Sequence, residues 1–124
     1  MQNNNLKDKT YLGQRSYQFA LMVISFIDKL PRQDMTCQII ARQLLRSATS
    51  VGANIVEAQA GSTKRDFTNF YTHALKSANE SVFWLRLLKD SKKAPALEYE
   101  KPIDEAMQLA KLLGASILTL KGRR

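Results

Sequence analysis

The sequence predicts an all-α fold, an antiparallel up-down-up-down bundle of four helices, and three observations carry that reading. Apolar residues recur at alternating steps of four and three in four separate segments, the spacing that lines one face of a helix. Short polar or proline-containing connections join the segments, and short connections make successive helices antiparallel neighbours. No segment alternates with the period of two that a half-buried strand requires. A chain of 124 residues with 44% hydrophobic content fits a single domain, 1–124, with a real core.

The chain opens with a polar arm to about Thr10, and the first helix spans about 12–30, stopping at Pro31, which cannot continue it. This helix carries two apolar stripes. Tyr17, Ala20, Ile24 and Ile27 form one, and Phe19, Val23, Phe26 and Leu30 form the other, rotated around the axis. A helix on the rim of a monomeric bundle buries one stripe of about 100°. The second stripe therefore predicts a subunit interface and a homo-oligomer.

Thr36 is the expected cap of a second helix over about 37–60, with Cys37, Ala41, Leu44, Ala48, Val51, Ile55 and Ala58 as its seam. Ser47, Ala48, Ser50, Gly52 and Ala53 make a patch of small residues in its middle. Gly52 inside a helix costs about 1 kcal/mol relative to alanine, a cost that close approach of a neighbouring helix offsets. Gly61 is expected to end the helix in a left-handed conformation, and Ser62 or Thr63 to cap the next one, with Asp66 completing a capping-box pattern. The third helix, about 64–90, repeats the seam with Phe67, Tyr71, Ala74, Ala78, Ser81, Leu85 and Leu88. A fourth spans about 99–121, with Pro102 tolerated in its first turn and Ile103, Ala106, Ala110, Leu113, Ile117 and Leu120 as its seam.

Helical bundles can hold paired iron or manganese ions with glutamates and Glu-x-x-His pairs. Here the one histidine, His73, follows Phe70 by three, so that ligand set cannot be assembled and neither metal nor cofactor is expected. Cys37 is the lone cysteine and sits on a seam, which reads as a small buried hydrophobe in a reducing compartment. No nucleophile stands with a base, so the chain reads as a non-enzyme. No run approaches the eighteen or so apolar residues that cross a bilayer, and the polar start lacks the apolar core of a signal peptide, so a cytoplasmic protein is expected.

Folding the third helix back on the second sets Arg46 opposite Glu80 and Asn54 near Asn69 and Phe70, with Glu57 closer to the turn. Arg46, Asn54, Glu57 and Glu80 are thus the expected polar core, with Arg46 and Glu80 paired. Trp84, with Phe83 and Tyr71, can be read as a base-stacking platform, but helical spacing favours packing stripes. The formal charge of +8 and pI near 9.8 fit a nucleic-acid binder, with a solvated basic surface as the plain alternative. Lys64, Arg65, Lys89, Lys92, Lys93, Arg123 and Arg124 are the candidate phosphate contacts.

The run RSATSVGANIVEAQAG and the following DFTNFYTHALKSANESVFWLRLL resemble the bacterial four-helix-bundle family of proteins encoded in intervening sequences of large-subunit ribosomal RNA genes. Arg46, Ser47, Ala48, Ser50, Val51, Gly52, Ala53, Asn54, Ile55 and Glu57 match the family signature, and Glu80 and Trp84 match its later acidic and aromatic positions. Ser77 departs from it, standing where related sequences often carry an acid. The family is similar in fold to the accessory protein of diversity-generating retroelements. That resemblance implies a barrel-shaped, ring-like homopentamer and an adaptor role, with RNA or DNA and a reverse transcriptase as partners. A purely structural or protein-binding oligomer is the alternative.

Overall fold

The structure, a computed structural model, describes residues 4–61 and 63–122, with side chains described from residue 11 onward. Four helices account for nearly all of it: α1 (Asn4–Asp28), α2 (Met35–Ala60), α3 (Lys64–Asp90) and α4 (Glu100–Leu120), with a single 3-10 turn over Ala96–Tyr99 leading into α4. No strand occurs among the described residues. Each helix packs on its neighbour in sequence, and α1 closes against α4, so one apolar core runs between them.

The α2 and α3 seams are buried as their spacing requires, from Cys37 to Ala58 on α2 and from Tyr71 to Leu88 on α3, with Phe67 half-buried at the turn. Hydrogen bonds fix their register. Arg46 reaches Glu80, Ser47 reaches Ser81 at 2.9 Å, and Ser50 accepts from Ser77 at 3.0 Å, so the two helices run antiparallel. That register sets Asn54 at the height of residues near 73, further from the turn than the expected neighbours Asn69 and Phe70.

The helix ends differ from expectation in three places. Asp34 caps α2 in place of Thr36: its Oδ1 accepts from Cys37 N at 2.9 Å, and a carboxylate is the stronger acceptor at a helix N-terminus. Gly61 is extended and not left-handed, with φ −66° and ψ 145°, because its N–H closes the last turn of α2 on Ala58 O at 3.1 Å; Thr63 then caps α3 by accepting from Asp66 N at 3.0 Å. The left-handed position instead follows α3, at Lys92 with φ 60°. There Lys92 N donates to Lys89 O and Lys93 N to Leu88 O, the paired bonds of a Schellman ending.

On α1, Phe19, Val23 and Phe26 enter the core with Leu12 and Ser16, joined by Leu30 just past the helix end, while Tyr17, Leu21 and Ile24 remain exposed. The helix also begins earlier than its apolar pattern, at Asn4. α1 packs closely over Gly52 of α2, since a Cβ there would meet Ser16 Oγ at 3.3 Å. Its cost in helix propensity is therefore set against contact between two helices.

The buried line of α4 is Pro102, Ala106, Leu109, Leu113 and Ile117. Ala110, expected on that line, stands half-buried at its flank together with Ile103 and Leu120. The larger Leu109 fills the core there. At the base of the bundle Tyr99 is fully buried, edge-on to Phe26 with ring centroids 4.8 Å apart.

Candidate nucleic-acid interface

The cationic candidates separate into two groups. Lys64 and Arg65 are exposed in the first turn of α3, and Lys89 and Lys92 are exposed at its other end. At 1.5 Å per residue the two groups lie about 35 to 40 Å apart along the helix. A monomer thus presents two basic ends. Arg123 and Arg124 lie outside the described residues, as does Ser62. Lys93 is engaged within the chain, its Nζ 2.8 Å from Asp34 Oδ2 with both side chains largely covered. The Lys93 ammonium, then the Cys37 amide, hold the Asp34 carboxyl below its ordinary range.

The expected polar core is a polar flank. Arg46 and Glu80 pair at 2.5 Å, but their side chains are 61% and 36% exposed, because both sit beside the seam and not on it. Arg46 also donates to Gln43, and Trp84 Nε1 donates to Glu80 Oε2 at 2.9 Å. The carboxylate therefore fixes both an arginine and an indole. Asn54 is half-buried and donates to the Ser50 carbonyl and hydroxyl, each at 2.9 Å, while Glu57 lies on the exposed side of α2. Buried polarity at the hairpin belongs instead to the Ser47–Ser81 hydroxyl pair. Ser77 donates to the Ser50 hydroxyl at 3.0 Å.

Arg15 and Glu105, which did not stand out in the sequence, make the principal polar tie between α1 and α4. Arg15 grips Glu105 through Nε at 2.6 Å and a second nitrogen at 3.0 Å, and also donates to Gln108 and the Tyr11 hydroxyl. Glu105 is the main reason the guanidinium is held still more firmly in its charged form. Ninety positions separate the partners, so no local spacing announces them.

Two exposed surfaces also stand out. Residues 16–27 and 47–56 contain no charge at all, and α1 and α2 bring them side by side at Ser16 and Gly52. Tyr17, Leu21, Ile24 and Val56 are exposed on these segments. On α3, Phe83 is 57% exposed and packs edge-on against Trp84, with ring centroids 5.0 Å apart. Phe83 is therefore not on a packing stripe.

Among the described residues no three His, Cys, Asp or Glu side chains converge as a metal site, and His73 is exposed. No helix is long and apolar enough to cross a membrane.

The four packed helices define a small all-α protein. The chain belongs to the 23S rRNA-intervening sequence protein family, whose model matches residues 9–115. It is similar to a crystal structure of a protein of unknown function from the S23 ribosomal protein family of Bacteroides thetaiotaomicron, at 32% identity and TM-score 0.81, covering 88% of this chain and 96% of that one. No curated protein matches it.

Proposed function

We propose that this chain is a non-enzymatic cytoplasmic adaptor that assembles into a ring, most simply a homopentamer of up-down-up-down bundles, and binds RNA or DNA through phosphate contacts. The observation that carries the reading is the placement of free cations at both ends of α3, Lys64 and Arg65 at one and Lys89 and Lys92 at the other, in a chain of net charge +8. In a ring, each group recurs around the axis and a modest monomer patch becomes a strong field for phosphates. The family's name, which refers to 23S rRNA, supports RNA as the polyanion.

The uncharged strip on α1 and α2 supplies the surface for self-association. Copies carrying +8 each repel, so the strip free of charge is where two of them approach at least cost. A reverse transcriptase is a candidate protein partner by resemblance to the retroelement accessory protein. The competing reading is a structural or protein-binding oligomer whose positive charge keeps it soluble.

Charge reversal separates the two. Lys64→Glu, Arg65→Glu and Lys92→Glu together should weaken binding to labelled RNA while leaving the assembly mass unchanged. Binding that survives all three substitutions would overturn the proposed contacts.

A further inference from the structure

We propose that Phe83 is a base-stacking platform for single-stranded nucleic acid, an inference that rests on the phosphate-binding reading above and adds a salt-independent contact to it. The side chain is 57% exposed on the outer face of α3, whereas the aromatic rings at Tyr71 and Tyr99 are buried. Its orientation is fixed from beneath. The ring meets Trp84 edge-on at 5.0 Å, the indole nitrogen is held by Glu80 at 2.9 Å, and Glu80 is held in turn by Arg46. A ring with so few alternative positions loses little conformational entropy when a base covers it.

The charge around Phe83 selects the occupant. On the same helix, Lys76 stands two turns before it, about 10 Å along the axis, and Arg86 one turn after; both are exposed. Arg46 reaches across from α2 to Glu80, one turn before Phe83, and that carboxylate is already taken up by Arg46 and Trp84. An exposed aromatic among cations suits a strand that offers a base and flanking phosphates. A second copy of the chain would bring its own positive charge to this face, and the uncharged α1–α2 strip serves that contact better.

Stacking is sequence-tolerant, since every base has a π-face, so this contact adds affinity for single strands without specifying a target. It also distinguishes single strands from duplexes, whose bases are covered by their neighbours.

The test compares the full chain with Phe83→Leu and Phe83→Trp, titrated against a short labelled oligoadenylate and against an abasic oligomer with the same number of phosphates. The wild type should bind oligoadenylate more tightly than the abasic strand. Phe83→Leu should lower oligoadenylate affinity about 5- to 150-fold, leave abasic binding and the salt slope unchanged, and be rescued by Phe83→Trp. Equal wild-type affinity for the two strands would overturn the stacking while leaving the phosphate reading intact. Absence of binding to either strand would overturn both readings. If Phe83→Leu changed the mass of the assembly and not its preference between strands, the face would belong to a second copy and the proposal would fall.

Discussion

Lys93 Nζ lies 2.8 Å from Asp34 Oδ2, so the residue that ends the α3 turn is clamped to the residue that caps α2. Lys92, its neighbour, points its charge to solvent from a left-handed backbone. Adjacent lysines thus have different duties. Lys93→Ala should lower the melting temperature and leave nucleic-acid affinity nearly unchanged, while Lys92→Ala should do the reverse; thermal melts paired with binding titrations check both.

The same clamp gives a pH dependence. Asp34 is held below its ordinary value in the folded chain, so its contribution is fully present above the unfolded value, near pH 4, and is lost as pH falls through the folded one. Asp34→Asn should reduce the acid sensitivity of the melting temperature below about pH 4.

Two ion pairs of similar length should differ in worth. Arg46 and Glu80 are solvent-exposed, so Glu80→Ala should cost about 0.2 to 1 kcal/mol through the pair, plus whatever is lost by freeing the Trp84 indole. Arg15 and Glu105 are about one-fifth exposed and joined by two bonds, so Glu105→Ala should cost more, about 1 to 3 kcal/mol. Denaturant melts of the two variants rank them. Equal losses would mean that coverage does not set the difference.

Tyr99 carries a hydroxyl with no hydrogen-bond partner among the described residues, and burial, with a smaller effect of Cys37, pushes its ionisation up to about 12. The stability held by the neutral phenol is present below the unfolded value, near 10, and lost as pH rises toward 12. Tyr99→Phe should abolish this alkaline loss and, by removing an unpaired polar atom, raise neutral stability by about 1 kcal/mol. Melts at neutral and alkaline pH test both effects.

The core was legible because α2 and α3 obey one spacing without interruption, so every seam residue from Cys37 to Ala58 and from Tyr71 to Leu88 could be placed. Where two residues competed for one position, spacing alone did not decide. Thr36 and Asp34 can each cap α2, and the carboxylate took the site; Leu109 and Ala110 can each face inward, and the larger side chain did. Burial of Arg46 and Glu80 was overstated because opposition across a hairpin fixes height along the helices but not depth. Arg15 with Glu105, and Asp34 with Lys93, join residues far apart in the chain, and only folding brings them together.

The α1–α2 strip should be covered by another copy. Ile24→Glu or Leu21→Glu places a charge in the middle of a surface that has none, which an assembled interface excludes. Either variant should shift the light-scattering mass toward 14.1 kDa without loss of helical signal. A wild-type mass already near 14.1 kDa would contradict the homo-oligomer.

The most direct measurement of the adaptor reading is the affinity of the wild-type protein for labelled single-stranded RNA and for duplex DNA, titrated from about 50 to 200 mM salt. A cationic assembly that neutralises phosphates should lose affinity steeply, with a logarithmic slope of about 0.7 per phosphate contacted on the single strand and about 0.9 on the duplex. Little dependence on sequence should accompany it. Absence of binding at the lowest salt, or tight binding to one sequence that salt does not weaken, would contradict the account.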